Sequence, residues 1–196
     1  MVSKSSADPS LQARKQEFVR DAIWTAAIDL FSEKGFDDTT VEDIVAAAGT
    51  SRRTFFRHFE SKRDLMAHPI ESYGASLTKA IESCPSSSSP AQLYRHVVLE
   101  VAQRTVSDPR TRKVMEIAAK YPAARDAQLS RVAAVQDRAA VAFARRSKND
   151  VTAHVLASLT LSTLSLVYRV WFSEGKKNID AAVQHVFSEL SKITRA

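Results

Sequence analysis

The sequence predicts an all-α protein, and three observations carry that prediction. Only 4 Gly and 6 Pro are spread over 196 residues. Apolar side chains recur at three- and four-residue spacing, and strand-type alternation is missing almost everywhere. With 44% hydrophobic and 26% charged residues, the chain is long enough to bury a real apolar core. One large domain, or a small one joined to a larger one, fits that length.

In chain order, residues 1–14 are polar, lack the apolar run of a secretory signal, and read as a disordered tail. A first helix is expected from Lys15 to Lys34, with Val19, Ile23, Ala27, Leu30 and Phe31 as its apolar stripe and Gly35 as its C′ glycine. A second, short helix starts at Thr40, with Asp43 completing a capping box, and stops at Gly49. Its Val41, Ile44, Val45 and Ala48 fall on one face. A third runs from Ser51 to about His58. A fourth opens near Ser61 and is interrupted by Pro69.

The tract Cys84-Pro85-Ser86-Ser87-Ser88-Ser89-Pro90 is the clearest loop. Helices follow over 91–106, from Asp108-Pro109 to Tyr121-Pro122, and over 123–146. A long apolar one spans Val151 to Ser173, with Asp150 as N-cap and Gly175 as terminator. A last helix carries Ile179, Val183, Val186, Phe187, Leu190 and Ile193. Nine helices are expected in all.

Several function classes drop out. The single Cys84 allows no intramolecular disulfide and no cysteine-based zinc site. No metal-spaced cluster, nucleophile–base pair or phosphate loop appears, so neither a cofactor nor enzyme activity is expected. The histidines at 58, 68, 96, 154 and 185 are scattered. The apolar stretch from about Val155 to Tyr168 is broken by Ser and Thr and falls short of the roughly 20 residues that cross a bilayer. A reducing cytoplasm is the expected compartment.

The net charge of +6 is no evidence for nucleic acid by itself. Residues 1–68 hold 10 Lys/Arg against 11 Asp/Glu, and residues 69–196 hold 18 against 11. The informative feature is local. Ser51 to Arg63 carries Arg52, Arg53, Arg57, Lys62 and Arg63 against Glu60 alone.

Helix, tight glycine turn, short helix is the layout that places a recognition helix in the DNA major groove. Gly49 supplies the turn, and Ser51 can cap the recognition helix. At about 100° per residue, Arg52, Arg53, Phe56 and Arg57 share an arc of roughly 140°. Phe55 and Phe59 lie on another side, as anchors toward Val45, Leu30 and Phe31. Arginine is the side chain best suited to the guanine edge.

The run from Thr39 to Leu65, TTVEDIVAAAGTSRRTFFRHFESKRDL, resembles the N-terminal signature of the TetR family of bacterial transcriptional regulators. The likeness extends back through Ala27, Leu30, Phe31 and Gly35-Phe36 and covers about residues 20–66. It implies a helix-turn-helix domain over 15–62 and a ligand-binding and dimerisation domain over 63–196. Thr40 and Lys62 would touch phosphates, and Arg52, Arg53, Thr54 and Arg57 would face bases or backbone. Ser51 would sit at the recognition-helix start, His58 would reach a phosphate, and Phe59 would be core. Phe56 stands where the family usually has tyrosine, so a hydroxyl-to-phosphate bond is missing there.

The resemblance also implies a homodimer joined by the last two helices, reading palindromic double-stranded DNA, and a small-molecule effector. Candidate lining residues are Tyr73, Leu77, Val97, Val101, Met115, Ile117, Tyr121, Tyr168, Trp171 and Phe172. Arg169 interrupts an apolar run and must be paired, snorkel to water or hold an anionic ligand. The Ser-Arg-Arg-Thr-Phe-Phe-Arg run and Trp171-Phe172 are reminiscent of the branch that senses acyl-CoA-like ligands, the mycofactocin-regulator-like one. Pro69 is expected to kink or break the fourth helix near His68 and to act as a hinge or a fixed bend. The overall expectation is a cytoplasmic, nucleoid-associated repressor without membrane attachment. The alternatives are an activator or a DNA-binding adaptor controlled by a protein partner.

Overall fold

The computed structural model describes residues 11–173 and 178–194. Among them the secondary structure is helical, with no strand. The helices are α1 (Leu11–Glu33), α2 (Val41–Ala47), α3 (Arg52–His58), α4 (Lys62–Ser83), α5 (Pro90–Val106), α6 (Arg110–Lys120), α7 (Pro122–Ser147), α8 (Asp150–Ser173) and α9 (Ile179–Thr194). Two compact units divide between Leu65 and Met66, inside α4.

In the N-terminal unit, α1 is already formed at Leu11, so residues 11–14 are helical rather than part of a tail. The rest of the expected tail, and Gly175, lie outside the described residues. The buried face of α1 is Ile23, Trp24, Ala27, Ile28 and Phe31. Leu30, expected in that stripe, is only half-buried. Trp24 joins this face, and its indole Nε1 donates to the Leu65 carbonyl at 3.0 Å. Pro69 has no N–H to give that carbonyl, and tryptophan supplies the donor instead.

The short helices follow from their caps. Thr40 Oγ1 accepts from the Asp43 N–H at 3.1 Å, and Asp43 Oδ2 accepts from the Thr40 N–H at 2.8 Å. This is the expected capping box. At the other end Thr50 N–H bonds the Val45 carbonyl and Gly49 N–H that of Ala46. That double closure needs a left-handed residue. Gly49 adopts φ +61°, although a Cβ there would meet nothing within 4 Å. Conformation, not crowding, asks for glycine.

The C-terminal unit is built on a core that includes Leu77, Val97, Val101, Phe143, Leu164, Val167 and Val183. Arg146 caps the end of α4 by donating to the carbonyls of Ile81, Cys84 and Pro85. Cys84 is buried, with its thiol donating to Ser88 Oγ at 3.4 Å. Two expectations change here. The helix α4 runs on through Pro69 without interruption. The side chain that caps α8 is Asn149, whose Oδ1 accepts from Thr152 N–H at 2.9 Å, and Asp150 is the first helical residue.

By length and composition α8 could cross a membrane, contrary to the shorter estimate from its uninterrupted stretch. Its inner face, Ala153, Leu156, Ala157, Thr160, Leu164, Val167 and Trp171, is instead buried in the core of this unit.

Candidate nucleic-acid interface

The short helix α3 carries two unlike faces. Phe55 and Phe59 are buried, with their ring centroids 5.9 Å apart. Arg52, Arg53, Phe56 and Arg57 are exposed on the other side, the arc that the residue spacing predicts. Ser51 is the N-cap, its Oγ accepting from the Thr54 N–H at 3.1 Å. Thr54 is half-buried and shares a 3.0 Å hydroxyl bond with Ser51.

The three arginines are not equivalent. Arg52 is ion-paired with Glu42 of α2, and its guanidinium lies 5.8 Å from the Phe56 ring centroid. Arg53 and Arg57 have no hydrogen-bond or ion-pair partner among the described residues and stand in water. They are the cations of this helix that can change partner without first losing one.

Lys62 is held by its own chain. Its ammonium donates to the carbonyls of Phe36 at 2.7 Å, Asp37 at 2.9 Å and Thr39 at 3.1 Å, and lies 4.9 Å from the Phe36 ring centroid. An ammonium has three N–H donors, so the set is complete. The ammonium clasps the α1–α2 loop, and the phosphate contact implied by the resemblance would require it to release some of these carbonyls. The same loop is tied from inside by the Thr39 hydroxyl, which donates to the Gly35 carbonyl at 2.6 Å.

Thr40 is exposed but spends its hydroxyl on Asp43, donating to Oδ2 at 2.7 Å. Lys34, and then the Thr40 N–H and O–H, hold the Asp43 carboxyl well below the usual carboxylate range. His58 is half-buried, and its Nε2 is shielded from water without a hydrogen-bond partner. Burial lowers its pKa below the ordinary histidine value, helped by the charges of Arg57 and Arg20.

A pH effect follows. As pH falls below about 6.5 the unfolded chain takes up the His58 proton before the folded one does. The stabilising contribution of neutral His58 is therefore complete above that pH and declines below it. Thermal unfolding followed from pH 7 to pH 5 should show a fall in melting temperature that His58→Gln makes smaller. An equal fall in both proteins would remove His58 as its source.

Sequence reasoning missed Glu42, Lys34 and Trp24 as parts of this head. The (i, i+3) box at Thr40–Asp43 was readable from spacing. The Arg52–Glu42 and Trp24–Leu65 contacts join residues 10 and 41 positions apart, and no local pattern marks them.

The candidate effector residues lie in the other unit and are not alike. Leu77, Val97, Val101 and Ile117 are plain core, and Trp171 is nearly enclosed. Tyr73, Met115, Tyr121, Tyr168 and Phe172 keep some accessible surface. Arg169 is exposed, so it follows the snorkelling alternative rather than pointing inward.

Comparison with known proteins places these features. The profile of "Bacterial regulatory proteins, tetR family" matches residues 23–68. The chain is 38% identical over 84 residues to the HTH-type transcriptional regulator TcmR of Streptomyces glaucescens. That match spans 43% of this chain and only 37% of TcmR. It is 25% identical over 178 residues to the "Putative mycofactocin biosynthesis transcriptional regulator MftR" of Mycobacterium tuberculosis, with 89% of this chain and 90% of that one covered. Among solved structures, NalD, the secondary repressor of the MexAB-OprM multidrug efflux pump in Pseudomonas aeruginosa, is similar in fold. Its TM-score is 0.62 at 21% identity, covering 91% of this chain and 96% of that one.

Proposed function

The chain belongs to the TetR family of bacterial transcriptional regulators, and from that premise we propose that it represses transcription by occupying a palindromic operator as a homodimer. It leaves the operator when a small molecule enters the C-terminal unit. It acts in the bacterial cytoplasm, at the nucleoid. The observation that carries this reading is α3 itself, anchored by Phe55 and Phe59 with Arg53 and Arg57 unpaired on its outer face.

Arg53 and Arg57 are the candidates for base edges, and Arg52 joins them if Glu42 lets go. Phe56 offers a thymine methyl or a sugar an apolar surface. The N-terminal ends at Thr40 and Ser51, with His58, face phosphates. In a reporter strain carrying the bound site in its promoter, the protein should lower expression, and Arg53→Ala should restore it. A contact to bases should cost about 1–3 kcal/mol on that substitution and relax preference at one position. Raised expression would favour an activator, and no change in expression would sink the reading.

The dimer is supported by α8. Opposite its core face run Val151, Val155, Leu159 and Leu166, all exposed in the single chain, with Leu159 at 46%. An exposed apolar stripe, interrupted only by Ser162, marks an interaction surface, and a two-fold partner is the occupant that would place two recognition helices on one palindrome. Leu159→Asp should convert the sedimenting species from dimer to monomer with little change in helical content. A dimer that persists in that variant would move the interface elsewhere.

For release, a coupling of about 1–3 kcal/mol between sites would weaken DNA binding roughly 5–150-fold. The path proposed is α4, which both units share and which lacks one backbone bond at Pro69. An acyl-CoA-like effector finds no buried cation among the described residues, and its phosphates would have to stay at the surface.

A further inference from the structure

The C-terminal unit holds two buried phenols without a well-formed hydrogen bond. Tyr73 of α4 and Tyr168 of α8 approach edge to face, with ring centroids 6.0 Å apart. Both hydroxyl oxygens are shielded from water, and neither makes a hydrogen bond of good geometry, each facing only the other and the Thr105 hydroxyl. Thr105 of α5 adjoins the two, so three helices bring a hydroxyl to one place. Burial pushes Tyr168 up to about 12 and Tyr73 well above its ordinary value, so both phenols keep their protons and can donate.

Leaving a buried hydroxyl unsatisfied is unfavourable, and native structures rarely do so without a reason. The same unit shows the usual solution at Tyr94, whose hydroxyl meets that of Thr163 at 2.5 Å. Phenylalanine at 73 and 168 would pack without the loss. Apolar residues close in sequence to these three are packed on the core and only partly buried. Ile70 is one turn before Tyr73, Val106 follows Thr105, and Phe172 is one turn after Tyr168.

Charge narrows the class of guest. The buried polar side chains of the described residues are Thr39, Thr160 and Thr163, none of them charged. Arg169 is exposed, and Arg112, also exposed, lies over Trp171 and Phe172 at 4.7 and 5.9 Å. An anion brought to the two phenols would have no buried counter-charge, and an isolated charge in such a place is strongly disfavoured.

We infer that Tyr73, Tyr168 and Thr105 form the polar end of an effector site for an uncharged, largely apolar molecule with an oxygen acceptor, of the ketone or phenol class. This rests on the ligand-responsive reading above and gives it a chemistry. The phenols donate to the guest oxygen, and Thr105 takes a guest hydroxyl where there is one.

The test uses the full chain with 2-nonanone and 4-hexylphenol as neutral probes and octanoate as a charged one of similar size. Melting temperature and tryptophan fluorescence report binding to the native protein, Tyr73→Phe, Tyr168→Phe and the double variant. At least one neutral probe should bind the native protein, at least tenfold tighter than octanoate. The double variant should lose at least tenfold in affinity for it while melting, without probe, no lower than the native protein. Failure of both neutral probes to bind, unchanged affinity in the double variant, or a lowered melting temperature of the unliganded variants would each overturn the inference. DNA binding is followed separately. Tyrosine-dependent binding without release of DNA would retain this site and refute only the release step proposed above.

Discussion

Phe55→Ala is expected to unfold the N-terminal head near physiological temperature and to remove DNA binding with it. Phe55 is fully enclosed and packs edge to face on Phe56 at 5.2 Å and against Phe59 at 5.9 Å. Truncating such a ring costs about 3–5 kcal/mol, through lost transfer energy and the cavity left behind. That is a large share of the roughly 5–15 kcal/mol that holds a typical domain together. The matching control is Phe56→Ala. Its ring is 48% exposed, so the stability change should stay near the ±0.5 kcal/mol scale of surface substitutions. Circular dichroism melting should separate the two, and fluorescence anisotropy should show DNA binding lost in Phe55→Ala. If Phe55→Ala melts like the native protein, α3 is not anchored as described.

Lys62→Met should lower stability while leaving the electrostatics of DNA binding nearly unchanged. Methionine keeps most of the stem but gives up three bonds to the carbonyls of Phe36, Asp37 and Thr39. Hydrogen bonds from a charged donor contribute about 1.5–3 kcal/mol each, and they do not add when water can replace part of the set. A loss of about 3 kcal/mol is the reasonable scale. A phosphate contact makes a different prediction: stability little changed, and the slope of log affinity against log salt reduced by about 0.9. Measuring both on one variant decides between clasp and phosphate ligand. A reduced slope at unchanged melting temperature would restore the phosphate role.

Much of the head was legible because its signals are local. Gly49, the Thr40–Asp43 box, the Ser51 cap and the division of α3 between Phe55/Phe59 and the arginines all follow from spacing within a turn or two. What the sequence left open depends on residues brought together from afar. Lys62 reads as a free basic residue until the loop at 36–39 lies beneath it. Arg52 reads as one of three equal arginines until Glu42 is seen to hold it. Leu30 and Trp24 both suit an apolar stripe, and the carbonyl left open by Pro69 favours the residue with an N–H to give.

In the C-terminal unit the helix boundaries were readable and the faces were not. The apolar run of α8 suggests burial all round, yet Val151, Val155, Leu159 and Leu166 face water in the single chain. A fully apolar helix does not say which of its sides belongs to its own core. The Tyr73–Tyr168 pair was legible only as two aromatic residues, because an unsatisfied hydroxyl is a property of its surroundings.

The most direct test of DNA reading by α3 is selection of bound DNA from a random duplex pool, with the native chain and Arg53→Ala in parallel. The native protein should enrich an inverted repeat with half-sites about one helical turn, or a multiple of it, apart. Arg53→Ala should enrich a relaxed version that has lost preference at a symmetric pair of positions. Enrichment of no sequence, or of an identical sequence by both proteins, would contradict base reading by this helix face.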